Sequence, residues 1–162
     1  MNVVYLGLGT NLGDRLGNLR NAVLALAPFV DVEATSRLYE TAPVGILDQP
    51  AFLNMALRGT TRLDPLSLLQ ALKSLEKTLG RVDGVRWGPR LIDMDILLFG
   101  ESSFSDPSLE VPHPRLTERR FALAPLADVG ASALHPPTGK AVAQLLAELP
   151  PDDDVKILDE SL

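Results

Sequence analysis

Cysteine is absent from the 162 residues. That excludes disulfides and thiolate metal centres. The N-terminus, MNVVYLGLGTNLGD, carries no basic stretch ahead of its short apolar run, so no secretory leader is expected. No apolar stretch nears the ~20 residues needed to cross a bilayer, and the expected location is the cytoplasm. An excess of positive charge is also missing. Lys and Arg number 15 against 21 Asp and Glu, a net charge of −6, which argues against a general nucleic-acid binder. With 46% apolar and 22% charged residues, the chain reads as one globular domain over residues 1–162. The acidic tail, PPDDDVKILDESL, is expected to be loosely held from about residue 151.

What is present follows a clear order. The apolar run VVYLGLG at 3–9 reads as a buried strand, and Thr10-Asn11-Leu12-Gly13-Asp14 supplies turn and N-cap chemistry. Leu16, Leu19, Val23 and Leu26 then recur at helical spacing until Pro28. Residues 30–40 alternate as a second strand, 41–51 read as a proline-rich loop, and 52–60 as a third strand. Asp64 and Pro65 open a second helix with an apolar face at Leu68, Leu69, Leu72, Leu75 and Leu79, and Gly80 closes it. A fourth strand follows near 91–99. The predicted fold class is α+β: a ferredoxin-like βαββαβ antiparallel sheet with both helices on one face. Helices near 118–128 and 140–149 read as C-terminal additions to the same domain.

The fourth strand carries the chemistry. In RWGPRLIDMDILLFG (86–100), Asp93 and Asp95 interrupt an apolar run at i, i+2 spacing, so both carboxylates project to one face of the strand. Two neighbouring anions in apolar surroundings cost several kcal/mol per ion, roughly, unless paired. Three readings compete. The pair sits on the solvent side of an edge strand and needs no partner; it performs acid–base catalysis as in glycosidases; or it holds a divalent cation. Mg²⁺ takes one or two carboxylates, with water and substrate phosphates completing its shell. Of eleven arginines, six (Arg81, Arg86, Arg90, Arg115, Arg119 and Arg120) fall between residues 81 and 120. Guanidinium groups beside a carboxylate–metal site suit a polyphosphate. The usual nucleotide motifs are missing: Gly139-Lys140 is followed by Ala141, and Gly7-x-Gly9 lacks a third glycine. A nucleotide would therefore be held by metal and arginine rather than by a phosphate-cradling loop.

Five blocks occur in order: G-L-G-T-N-L-G at 7–13, D-Q-P-x-F-x-N at 48–54, G-R at 80–81, R-W-G-P-R-x-x-D-x-D-I at 86–96 and V-P-H-P at 111–114. Over about residues 1–150 they resemble the 6-hydroxymethyl-7,8-dihydropterin pyrophosphokinase family of folate biosynthesis. The resemblance implies attack of the pterin's hydroxymethyl oxygen on the β-phosphorus of ATP, with release of AMP. It implies two Mg²⁺ ions on Asp93 and Asp95, with Arg81 and Arg90 as catalytic arginines. It further implies an ATP pocket lined by Glu76, Arg86, Trp87, Ile96, Leu109 and His113. The pterin would lie against Thr41, Ala42, Val44, Phe52, Asn54, Arg119 and Phe121, with Phe52 and Phe121 stacking on it and Asn54 reading its edge. Small-molecule substrates and a monomer are the expected partners and state, with no nucleic acid and no membrane. Taken alone, Phe52 and Phe121 would read as core residues, and His135, which matches nothing, as structural.

The sequence departs from the family pattern at three places. The loop after Arg81, VDGVR, is short and carries Asp83 where a second arginine often stands. Phe52 replaces a frequent tyrosine. Pro114 stands where some members have tyrosine. Two other classes remain open on the sequence alone: a different metal-dependent nucleotidyl or phosphoryl transferase, and a non-catalytic binding module that needs neither aspartate.

Overall fold

A computed structural model describes residues 1–42, 50–80, 91–152 and 154–162. Its framework is an antiparallel sheet grown around the strand VVYLGLG. That segment lies within β1 (Asn2–Thr10), which pairs along its whole length with β4 (Phe52–Thr61). On its other side β1 pairs with β5 (Asp93–Phe99), which forms one sheet edge. Beyond β4 lie β2 (Asp31–Thr35) and β3 (Tyr39–Thr41), both paired to it, and β3 in turn pairs with β10 (Val155–Ile157).

Period-two alternation divides this sheet into two faces with separate cores. Val4, Leu6 and Leu8 of β1, with Met94 and Ile96 of β5, face α1 (Arg15–Ala25) and α2 (Pro65–Leu79), where Leu19, Ala22, Leu68 and Leu72 are fully buried. Tyr5, Ala56, Leu97 and Leu98 face the other way, onto α3 (Arg120–Gly130) and α4 (Val142–Glu148), through Leu123, Leu126, Val142 and Leu145. A bulge makes this possible in β5: the register with β1 shifts between Tyr5 and Leu6, so consecutive Leu97 and Leu98 both serve the second core. The fold is therefore α+β as expected, but helices cover both faces, and the C-terminal additions form a third layer.

Both N-terminal caps form as their sequences dictate. Asp14 accepts from Gly17 N at 3.1 Å, and Asp64 accepts from Ser67 N at 2.8 Å ahead of Pro65. Two expectations need correction. The single strand expected over 30–40 is two strands in tandem along β4. Ser36 N donates to Ala56 O and Ala56 N donates to the Ser36 hydroxyl, each at 2.8 Å, and the register slips between Thr35 opposite Leu57 and Tyr39 opposite Asn54. The side-chain oxygen takes an amide that the strand would otherwise pair, and Leu38 turns into the core. Second, the tail expected to hang loose contributes an edge strand, because its VKI triplet finds the unpaired side of β3. Two small hairpins, β6 (Phe104–Asp106) with β7 (Leu109–Val111) and β8 (Leu134–His135) with β9 (Lys140–Ala141), and a single 3-10 turn at Leu116–Glu118 complete the elements among the described residues. Among the described residues, no helix is long and apolar enough to cross a membrane.

Candidate active site

Between the sheet and the head of α3 lies a cleft of about 430 Å³, a size suited to a small-molecule ligand. Its floor is a consequence of register. Gly7 stands between Ala56 and Asp95, and Gly9 between Asn54 and Asp93, so two rows of side chains flank a strip without any. A Cβ on Gly9 would lie 2.7 Å from Asn54 Oδ1, so the amide would have to move, and one on Gly7 would lie 3.3 Å from the Leu97 methyls, which would have to give by a few tenths of an ångström. The G-x-G and D-x-D motifs thus share a period and a face.

Asp93 and Asp95 lie at one end of this floor, on the edge strand. Asp95 is a solvent-exposed residue that lines the cleft. Its pKa is raised, by desolvation first and by the charge of Asp93 second. Mg²⁺ prefers oxygen donors and commonly takes one or two carboxylates from a protein. The donor set therefore fits the metal that the sequence implied.

The other end has different chemistry. Asn54 Nδ2 donates to Thr41 Oγ1 at 2.8 Å, which fixes the amide and turns its Oδ1 toward Gly9. Phe52 begins β4 at the rim, and Phe121 stands at the start of α3, 37% exposed. The Arg119 guanidinium lies 5.8 Å from the centre of the Phe121 ring. Neither phenylalanine belongs to either core cluster, so the core reading of these two residues does not hold. An exposed aromatic beside a fixed amide suits a flat, polar heterocycle.

The cleft thus gathers Asp93, Asp95, Thr41, Ala42, Phe52, Asn54, Arg119 and Phe121, with Arg119 near enough to Asp95 for its charge to oppose the rise in that carboxyl's pKa. Four further candidates surround the β5 edge instead. Ile96 points into the α1/α2 core and Leu109 packs against that core from β7. Glu76, on α2, has the Lys73 ammonium at 2.8 Å; burial raises its pKa, Lys73 opposes the shift and Asp93 adds to it. His113 follows the cis Val111–Pro112 bond, and its Nδ1 accepts from Arg115 N at 3.0 Å, which leaves Nε2 to carry the proton of the neutral ring. Its pKa is lowered, by burial first and by Arg119 next, against the pull of Asp95. Val44, Arg81, Arg86, Trp87 and Arg90 lie outside the described residues. Sequence reasoning missed the glycine floor, and it missed Asp152, Asp154 and Val155, which line the cleft from the tail. The alternating G-x-G was a usable signal for the floor; nothing in the tail's composition pointed to the cleft.

A sequence model of the 7,8-dihydro-6-hydroxymethylpterin-pyrophosphokinase family matches residues 5–131. The chain belongs to this family. It is 49% identical over 130 residues to the 2-amino-4-hydroxy-6-hydroxymethyldihydropteridine pyrophosphokinase of Bacillus subtilis, covering 79% of this chain and 78% of that one. The Aquifex aeolicus protein of the same name is 39% identical over 156 residues, covering 96% and 95%. A mitochondrial folate synthesis bifunctional protein of Arabidopsis thaliana is 49% identical over 132 residues. This chain spans only 24% of that longer protein. In three dimensions the chain resembles a Plasmodium falciparum HPPK-DHPS crystal structure. The TM-score is 0.74 at 17% identity, over 91% of this chain and 44% of that one, a likeness of fold.

Proposed function

We propose that this pyrophosphokinase transfers pyrophosphate from ATP to the hydroxymethyl group of 6-hydroxymethyl-7,8-dihydropterin in a Mg²⁺-dependent reaction, as a single-domain monomer. One observation carries the reading: a carboxylate pair and an amide–aromatic end are joined by a floor of two glycines within one cleft. That arrangement suits a polyphosphate bound at one end and a flat acceptor at the other, with the reacting atoms over the strip between them.

Phe52 and Phe121 hold the pterin ring between them, and Asn54, fixed by Thr41, reads its edge. By the resemblance, main-chain groups at Thr41, Ala42 and Val44 would contact the acceptor. The acceptor's hydroxymethyl oxygen forms a bond to the β-phosphorus of ATP as the bridge to the α-phosphate breaks. AMP leaves with the electron pair, and the hydroxyl proton passes to water. Asp93 and Asp95 would hold Mg²⁺, two ions by the resemblance, whose chemistry is to neutralise phosphate charge. Arg119, near enough to lower the His113 pKa, adds positive potential above the floor, and His113 Nε2 offers a donor to phosphate oxygen. By the resemblance, Arg81 and Arg90 would meet the charge of the transferred group, and Arg86 and Trp87 would contact ATP. Glu76, Ile96 and Leu109 border the β5 edge where the purine and ribose would lie. Catalysis of this kind rests on positioning and charge neutralisation rather than on covalent participation by the protein.

The test is to incubate the purified chain with MgATP and the pterin and to separate the nucleotides. Pterin-dependent AMP is the expected product. ADP would mean transfer of the γ-phosphoryl group alone, and no pterin-dependent turnover would remove the acceptor assignment.

A further inference from the structure

We propose that the C-terminal strand β10 is a working part of the acceptor end: it holds β3, and through β3 the Thr41–Asn54 pair, in the geometry that binds the pterin. The inference rests on the function proposed above. It concerns a segment beyond residue 131, where the family match ends.

Two anchors tie this segment to elements that carry site residues. At its start, Arg120 Nη2 donates to the carbonyls of Leu149 and Pro150, at 3.1 and 2.8 Å. Arg120 sits between Arg119 and Phe121 at the head of α3. At its end, Val155, Lys156 and Ile157 pair with Thr41, Glu40 and Tyr39. Ala42 N donates to Asp154 O at 3.4 Å and Leu158 N donates to Leu38 O at 2.9 Å. Hydrogen-bonded pairs alternate along an antiparallel ladder, so Lys156 and Glu40 form the bonded pair between these two. Between the anchors, Asp152, Asp154 and Val155 line the same cleft as Thr41 and Ala42.

The reason this matters lies in β3. It is three residues long, and without β10 it would pair on one side only. A strand so short holds its position weakly on its own. Yet Thr41, its last residue, fixes the Asn54 amide at 2.8 Å. A site whose recognition groups are held before binding loses less free energy in ordering them, so the ladder from Lys156 to Glu40 preorganises the acceptor end. The carboxylate pair is on β5, at the opposite edge of the order β10-β3-β4-β1-β5. The influence of β10 therefore falls on the acceptor and not on the nucleotide.

The experiment compares the full chain with Lys156→Pro, which removes the central amide donor, and Lys156→Thr, which keeps it. Lys156→Pro is expected to raise KM for the pterin about tenfold, with the affinity for a non-hydrolysable MgATP analogue within about twofold of the parent. Lys156→Thr should behave as the parent. An unchanged pterin KM in Lys156→Pro, or an equal loss of pterin and nucleotide binding, overturns the inference, the latter by making β10 merely structural. Should Lys156→Pro fail to fold, amide exchange on the unaltered protein decides. Adding pterin to the MgATP-analogue complex should slow exchange at Ala42, Lys156 and Leu158, and no change there overturns the inference. If the parent chain forms no pterin-dependent AMP, the function reading falls first and this inference with it.

Discussion

Gly9 faces Asn54 across the β1–β4 ladder so closely that a Cβ on the glycine would lie 2.7 Å from the amide oxygen. Gly9→Ala should push Asn54 off the hydrogen bond to Thr41 and weaken acceptor binding about tenfold or more, with a smaller effect on nucleotide affinity. Titration of the pterin into the MgATP-analogue complex measures this. Equal affinities for the two proteins would mean that Asn54 is not the edge-reading group.

Asp93 and Asp95 carry opposite expectations for activity and for stability. Replacing either with Asn should lower turnover by on the order of a hundredfold, because the proposed Mg²⁺ site would lose a charged ligand. Without metal, however, Asp95→Asn should raise the melting temperature at neutral pH, since the ionised carboxyl is both desolvated and repelled by Asp93. A melting curve in chelator for the Asn variant and the parent tests the second claim. A lower melting temperature in the variant would show that the pair is not repulsive in the folded protein.

Phe121 is 37% exposed at the cleft rim, so it contributes little to the core. Phe121→Ala should raise KM for the pterin by about tenfold, the loss of one face of an aromatic stack, while unfolding free energy changes by less than about 1 kcal/mol. A large loss of stability with unchanged KM would return Phe121 to a purely structural role.

Acid stability should register the contact between α3 and the break that separates β2 from β3. The Arg37 amide and guanidinium and the Tyr39 hydroxyl all donate to Asp128. Burial alone would raise the Asp128 pKa, but these hydrogen bonds outweigh it and hold the carboxyl below its usual 3.8. A depressed folded-state pKa stabilises the protein above the unfolded value, and that contribution is lost as pH falls below about 3.8. Asp128→Asn should cost on the order of 1 kcal/mol at pH 7 and flatten the stability curve in that acid range. At the other extreme, burial and Asp128 push the Tyr39 phenol up to about 12 from 10.0. The parent should therefore lose stability as pH rises through that interval. Urea unfolding at several pH values, parent against variant, reads both effects.

Local chemistry was largely legible in the sequence. Both helix caps, the apolar faces of α1 and α2, and the central strands follow from residue type and spacing, because each depends on groups within a few positions of one another. The two aspartates could be assigned to one strand face for the same reason. The split of residues 30–40 was not legible. Whether Ser36 spends its hydroxyl on Ala56 N depends on a strand twenty residues away.

The chain's own order of residues determined that Asp93 and Asp95 share a face, that Gly7 and Gly9 share one too, and which matched motifs accompany them. Only the tertiary structure decided that these two faces are the same one. The β1–β5 register sets Gly7 beside Asp95 and Gly9 beside Asp93, and a slip of one residue would have turned one set into the opposite core. It likewise decided that an acidic tail is a wall of the cleft. Edge pairing with β3 is backbone chemistry, which any sequence free of proline at those positions can supply and which composition therefore does not reveal.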